Sequence, residues 1–313
     1  MNRETVESIA MSETPSDRRY VLIVPTRDEE EFLQQSLDCF ASQTILPAEC
    51  VIVDDGSSDR TGAIADEAAA RYPWVHVVHR DDRGERKLGG GVIDAFYAGY
   101  DALETTDYTY ICKIDGDVTF PDAYFENLIE KFEADPKLGG ASGKTWNPVD
   151  GGLKEERLND EMVAGQMNFW RRACWEEVGG YVREVMWDGI VFHRAHMFGW
   201  ETHSFRDESL RVIHHRLMGS SHRSVYHGRL RWGRGQWFMG THPLYVLASG
   251  VYRTRERPYV VGGLLIIAGF LGAMFRGAPR YDDPVFRVHL RRWQLGRLGL
   301  GFLASSGPKG STP

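Results

Sequence analysis

Between Tyr20 and Ile114 the chain switches repeatedly between short apolar runs and longer stretches of helical spacing. The runs are "YVLIVPT" (Tyr20 to Thr26), "CVIVDDGSSD" (Cys50 to Asp59), "WVHVVHR" (Trp74 to Arg80) and "YTYICKI" (Tyr108 to Ile114). Each has an apolar stretch of strand length. Behind the first comes "EEFLQQSLDCFASQ", with Phe32, Leu33, Leu37 and Phe40 on one helical face. Behind the second comes "DRTGAIADEAAARY", which starts after Ser and Asp capping residues. The glycine-rich "GERKLGGG" leads from the third into "VIDAFYAGYDAL". Strands joined by helices imply right-handed crossovers, so the fold class is α/β: a mostly parallel, Rossmann-like sheet flanked by helices.

In such a sheet ligands sit beyond the carboxyl ends of the strands. Four polar clusters follow the four runs: Thr26-Arg27-Asp28-Glu29, Asp54-Asp55-Gly56-Ser57, Arg80 to Gly91, and Asp115-Gly116-Asp117. The last brings two carboxylates together at the end of a core strand, and like charges cost free energy unless a cation neutralises them. An Asp-x-Asp tripeptide can hold a hard divalent cation with positions left for phosphate oxygens; the other reading is a strand-end turn with one capping aspartate. The "DDGSSD" stretch has the same duality. Its aspartate can accept hydrogen bonds from a base or a ribose, and the segment also suits a turn that starts a helix.

With 313 residues the chain can bury a full core. The net charge of -7 gives no reason to expect a nucleic-acid partner. Charge is unevenly spread, however: no Asp or Glu lies between Glu208 and Glu256, while Arg211, Arg216, Arg223, Arg229, Arg231, Arg234, Arg253 and Arg255 all do. Cys39, Cys50, Cys112 and Cys174 have no metal-ligand spacing and are expected as free thiols in a reducing compartment. The polar start lacks the apolar core of a secretory signal, which points to the cytoplasm.

Taken together, "VLIVPTRDEEEFLQQSLDCFASQT", "VIVDDGSSDRT" and "YICKIDGDVTFP" resemble the nucleotide-sugar half of family 2 glycosyltransferases with the GT-A fold. The likeness continues through "RRACWEEVGGY" and "WDGIVFHRAHMFGW" to "VIHHR", over roughly residues 19 to 240. The resemblance implies that Thr26, Asp28 and Glu29 lie near the base and ribose and that Asp55 reads the base. It implies a metal, Mn2+ or Mg2+, on Asp115 and Asp117, with Asp115 also beside the donor. Lys87 and the turn Gly89-Gly90-Gly91 would meet the donor, or else form a plain loop. His214 would stand by the metal or the diphosphate, with His215 on the opposite strand face. Asp188 occupies the position of the general base, which is compatible with a helix-capping role. Arg27-Asp28 stand where the family often has an aromatic-asparagine pair, so a stacking platform for the base is missing. "RLRWGRGQW" resembles part of a QxxRW region: Arg231 and Trp232 match and, with Arg234, are read as acceptor or diphosphate contacts. Gly228 replaces the glutamine, which points to a single transfer rather than processive polymerisation.

The expected organisation is a tail (1–18), a GT-A domain (19–240, with a nucleotide-sugar half 19–120 and an acceptor half 121–240), a helical extension (241–303) and a second tail (304–313). The extension carries "YVVGGLLIIAGFLGAMF" (Tyr259 to Phe275), slightly short of a bilayer span and flanked by arginines on both sides. It reads as a membrane-associating, interfacial element or as a buried core helix. The expected activity is sugar transfer from a nucleotide-diphosphate sugar to a lipid-linked or other saccharide acceptor, peripheral or monotopic at the inner face of the cell membrane. Polyprenyl phosphate as acceptor, a nucleotidyltransferase and a non-catalytic nucleotide-sugar binder are the alternatives.

Overall fold

The computed structural model describes residues 16–82, 84, 90–216, 225–255 and 258–302. The chain divides into two compact units. One comprises the chain up to Arg183 together with Phe198–Arg216; the other comprises Glu184–Met197 and everything from Leu217 onward. This division cuts across the 19–240 grouping expected from sequence.

In the first unit, strands β1 (Tyr20–Thr26), β2 (Glu49–Asp54), β3 (Val75–His79) and β4 (Tyr110–Ile114) run parallel in the order β3-β2-β1-β4. Every residue of β1, β2 and β4 is buried, as continuous apolar runs covered on both faces require. Helices α1 (Leu33–Ala41), α2 (Thr61–Arg71) and α3 (Gly90–Asp101) follow the first three strands as the alternation anticipates. α1 buries Leu33, Leu37 and Phe40, while Phe32 sits half-buried just before it.

The sheet continues past β4 with β9 (Met167–Arg171), β6 (Leu138–Gly143) and β10 (Glu201–Phe205), giving seven strands. β9 runs antiparallel to both neighbours, the departure from an otherwise parallel sheet. Helices α4 (Tyr124–Ala134) and α5 (Arg172–Val178) complete this unit. Its core is rich in rings: Tyr20 stacks on Phe125 at 4.4 Å and Tyr110 on Phe169 at 5.2 Å. Such pairs add about 0.5–1.5 kcal/mol each beyond their area burial.

A second sheet has four short strands in the order β5 (Val118–Thr119), β11 (Val212–His214), β7 (Thr145–Val149), β8 (Gly152–Glu155). β5 begins immediately after Asp117 and pairs antiparallel with β11, placing His214 opposite Val118.

The second unit is helical: α6 (Trp187–Met197), α7 (Val225–Met239), α8 (Pro243–Tyr252), α9 (Val261–Phe275) and α10 (Pro284–Arg297). Asp283 caps α10 by accepting from the Phe286 N–H at 2.8 Å, with Pro284 in the first turn. α7 and α9 approach closely because a side chain at Gly233 would strike the Ile266 carbonyl and one at Gly269 the Leu230 carbonyl. The apolar segment of the expected extension packs one side into the helical unit and turns its other side outward. Gly262, Ile266, Gly269, Phe270 and Ala273 of α9 are buried, while Leu264, Leu271 and Phe275 face outward. Among the described residues no helix is long and apolar enough to cross a membrane.

Candidate active site

The carboxyl ends of the parallel strands are laced together by their own polar residues. Asp28 takes a left-handed backbone (φ 53), which aspartate tolerates better than most residues. Its N–H donates to the Ser57 hydroxyl at 3.1 Å, and its Oδ1 accepts from the Ser58 N–H at 2.9 Å. The Glu29 N–H donates to the Thr61 hydroxyl at 2.7 Å. The loop after β1 is therefore fixed to the loop after β2. Gly56 (φ 71) closes the second loop, and a Cβ there would run into the Asp82 backbone. Asp55 is buried and pairs with Arg80 at 2.6 Å. The Arg27 guanidinium donates to the Asp55 carbonyl and to the Asp82 carboxylate, so the residue that replaces an aromatic ties two loops together. Thr26 turns its hydroxyl inward to the Val53 carbonyl at 3.1 Å.

Beside these loops the Asp115-Gly116-Asp117 turn is held tightly. A Cβ on Gly116 would press on the Thr26 methyl, and the Gly116 carbonyl accepts from the Ser36 hydroxyl at 2.9 Å. One donor atom each from Asp115, Asp117 and His214 lies within 4.8 Å of the others. Two carboxylates and an imidazole are a suitable donor set for Mn2+ or Mg2+, with carboxylate oxygens the harder ligands. Asp117 Oδ1 is buried with no hydrogen-bond partner among the described residues. A buried carboxylate oxygen left in that state is costly, and a cation would satisfy it.

His214 lies between two acids. Its Nε2 is 3.3 Å from Asp117 Oδ2 and its Nδ1 is 3.4 Å from Glu156 Oε1. Burial disfavours the imidazolium, but the Asp117 and Glu156 carboxylates overcome it and raise the pKa to about 10. His215 points elsewhere, bonding Thr119 at 2.8 Å and stacking on Phe32. Burial raises the pKa of Asp115, a tendency opposed by the Lys113 ammonium.

Three charged residues that sequence reasoning did not assign belong to this constellation. Lys113, almost fully buried in β4, pairs with Asp115 and donates to the Gly165 carbonyl at 2.9 Å. Its signal was present: a lysine inside the run "YICKI" has to find a carboxylate. Glu156 braces His214 and accepts from the Gln166 amide at 3.2 Å. Arg216, within the arginine-rich window, pairs with Glu29 at 2.7 Å, donates to the Asp28 carbonyl at 2.8 Å and lies 3.9 Å from Asp117.

Of the sequence candidates, Thr26, Asp28, Glu29, Asp55, Asp115, Asp117 and His214 fall in this unit at these loops. Lys87 and Gly89 lie outside the described residues. Asp188, Arg231, Trp232 and Arg234 belong to the helical unit. Asp188 stands in the first turn of α6, one residue inside its start, and its Oδ1 accepts from the Gly189 N–H at 2.8 Å. Trp232 carries the Arg253 guanidinium over its ring at 4.2 Å. Burial lowers the pKa of Arg231, and Arg234 is exposed.

The chain is similar in sequence and fold to known proteins. The uncharacterized glycosyltransferase EpsJ of Bacillus subtilis (strain 168) is 33% identical over 112 residues, which are 36% of this chain and 30% of that protein. The polyprenol monophosphomannose synthase of Mycolicibacterium smegmatis is 30% identical over 132 residues, 42% of this chain and 46% of that protein. Each match thus spans less than half of the curated relative. Among solved structures, mannosyltransferase PcManGT from Pyrobaculum calidifontis, in complex with GDP-Man and Mn2+, superposes with a TM-score of 0.51 at 16% identity, over 91% of this chain and 84% of that one. The architecture is the GT-A fold. The family described as "Glycosyl transferase family 2" matches residues 21–198, more than half of the chain and every strand from β1 to β9, so the chain belongs to glycosyl transferase family 2.

Proposed function

We propose that the protein moves a sugar from a nucleotide-diphosphate sugar to a hydroxyl acceptor in one inverting displacement, and that the acceptor is a lipid-linked oligosaccharide in cell-surface polysaccharide synthesis. The observation that carries this reading is the convergence of Asp115, Asp117 and His214 beside the Asp28 and Asp55 loops. Those three side chains would hold a divalent cation, whose positive charge would offset that of the departing diphosphate. Arg216, anchored by Glu29, adds a fixed guanidinium to the same place. Asp28 and Asp55 offer acceptors to ribose and base, Thr26 and Glu29 shape the loop beneath them, and Lys87 meets the donor. Asp188 takes the proton of the acceptor hydroxyl as that oxygen bonds to the anomeric carbon; the electron pair of the broken bond leaves with the nucleotide diphosphate. Arg231, Trp232 and Arg234 contact the acceptor or the diphosphate. One sugar is added per encounter, and the work takes place at the cytoplasmic face of the membrane.

Direct transfer to polyprenyl phosphate is the second reading, favoured by the 30% identity to a polyprenol monophosphomannose synthase. The test is a calorimetric titration of nucleotide diphosphates and their sugars with and without Mn2+ or Mg2+, on the native chain and on Asp117→Ala. Metal-dependent binding of one nucleotide, lost in the variant, is the expected result. Folded protein that binds none of them with either metal sinks the enzyme reading and leaves Asp115-Gly116-Asp117 an ordinary turn.

A further inference from the structure

The helical unit buries one side of α9 and leaves the other bare. Val261, Leu264, Ala268, Leu271 and Phe275 recur three or four residues apart, and all are exposed. Leu264 is 58% and Phe275 80% accessible. Their spacing defines a single stripe opposite the face that holds Gly262, Ile266, Phe270 and Ala273. α8 does the same with Leu244, Leu247 and Val251, the last 67% accessible. The two helices touch where Gly250 meets Gly263 and the Ile267 side chain, so both stripes belong to one packed pair. Scattered exposed apolar residues are ordinary; two helical stripes on adjoining helices form a patch of the kind that marks an interaction surface.

Charge says what covers it. From Ser209 to Tyr281 the chain has one acidic residue, Glu256, against many arginines. Arg255 and Arg276, at opposite ends of the loop-and-helix segment that contains α9, are exposed. An apolar stripe bounded by guanidinium groups complements the acyl boundary and anionic headgroups of a lipid bilayer. α9 has 15 residues, too few to cross the hydrocarbon layer and enough to lie along it.

We propose that the α8–α9 face docks on the surface of an anionic bilayer, with Leu247, Leu264, Leu271 and Phe275 entering the acyl boundary and Arg255 and Arg276 meeting the headgroups. The inference rests on the lipid-acceptor reading for its purpose in the reaction. The test floats the full chain with vesicles of phosphatidylcholine alone and of phosphatidylcholine with phosphatidylglycerol. Binding to the anionic vesicles is expected. Replacing Leu247, Leu264 and Phe275 together by serine should lower the partition coefficient on the order of a hundredfold. Arg255→Gln and Arg276→Gln should each lower it about fivefold. All five positions are exposed, and an unchanged circular dichroism spectrum and Tm identify a folded variant.

Absence of binding to anionic vesicles, or equal binding by the serine variant, overturns the proposal. So does a stable dimer in solution that the serine variant dissolves, because a second copy then owns the face. Transfer to a short, water-soluble acceptor phosphate separates this proposal from the functional one. Retained transfer with no vesicle binding refutes the docking alone, whereas vesicle binding without transfer to any acceptor refutes the functional reading alone.

Discussion

Metal binding at the Asp115/Asp117/His214 site should release a proton, and the affinity should climb steeply with pH. His214 is held as an imidazolium by Asp117 and Glu156, its pKa raised from the ordinary 6.5 to about 10. A cation needs the neutral ring, so proton and metal compete for one nitrogen. At pH 7 the competition weakens binding roughly a thousandfold, and between pH 7 and 8.5 the apparent Mn2+ affinity should rise about 30-fold. The metal-free chain should behave in the opposite sense. A raised folded-state pKa contributes stability that is complete below pH 6.5 and lost as pH climbs through about 10. From pH 7 to pH 10 that loss comes to roughly 3–4 kcal/mol. Calorimetry of Mn2+ binding in two buffers of different ionisation enthalpy counts the proton released, and a pH series of urea melts follows the metal-free chain. His214→Gln should release no proton and flatten both dependences. A native affinity that changes less than about threefold from pH 7 to 8.5, or a slope that His214→Gln leaves intact, refutes the coupling of His214 to the cation.

Other outcomes follow from particular contacts. Asp188→Asn should lower kcat by about 10²- to 10⁴-fold while leaving calorimetric donor affinity unchanged; lost donor binding with kcat retained would remove Asp188 from the role of base. In Gly143→Ala the new methyl lands on the Leu210 carbonyl at the junction of β6 and β7. It should cost about 3 kcal/mol, a fall in Tm of roughly 6–12 °C by scanning fluorimetry, and an unchanged Tm would contradict the packing there. All four cysteines are free, and burial raises the thiol pKa of Cys39 to about 11 and of Cys174 to about 12. Native protein at pH 8 should therefore react slowly with a disulfide reagent until denaturant is added; prompt reaction of a thiol in the folded chain would contradict that burial.

Much of this molecule was legible in the chain because parallel sheets write themselves as apolar runs separated by helical spacing. β1 to β4 and α1 to α3 all announce themselves that way. β9 does not. Its residues "MNFWR" are a buried run whose direction depends on its neighbours β4 and β6, and direction leaves no periodicity to read. Of the small sheet only β11 was legible, as the strand that carries His214, whereas β5 has two residues, below the length at which alternation means anything. The site divided along similar lines. Asp115 and Asp117 stand out as adjacent like charges after a core strand, but Glu156 and Arg216 look like any surface charge until the fold brings them to His214 and Glu29. The apolar segment gave its amphipathic ambiguity honestly: glycines made one side of α9 a packing face, and nothing in its hydropathy said which side would stay bare.

The two-residue strand β5 also sets a clock. It joins Thr119 to His215, partners 96 residues apart in the chain. During synthesis the aspartates of the turn therefore emerge well before the histidine that completes their donor set. At about 5–20 residues per second the interval is roughly 5–20 s. Throughout it a nascent chain carries Asp115 and Asp117 without their third partner. Capture of a cation by all three residues would then be a late event in the life of the polypeptide, and its onset would report that the first unit had closed.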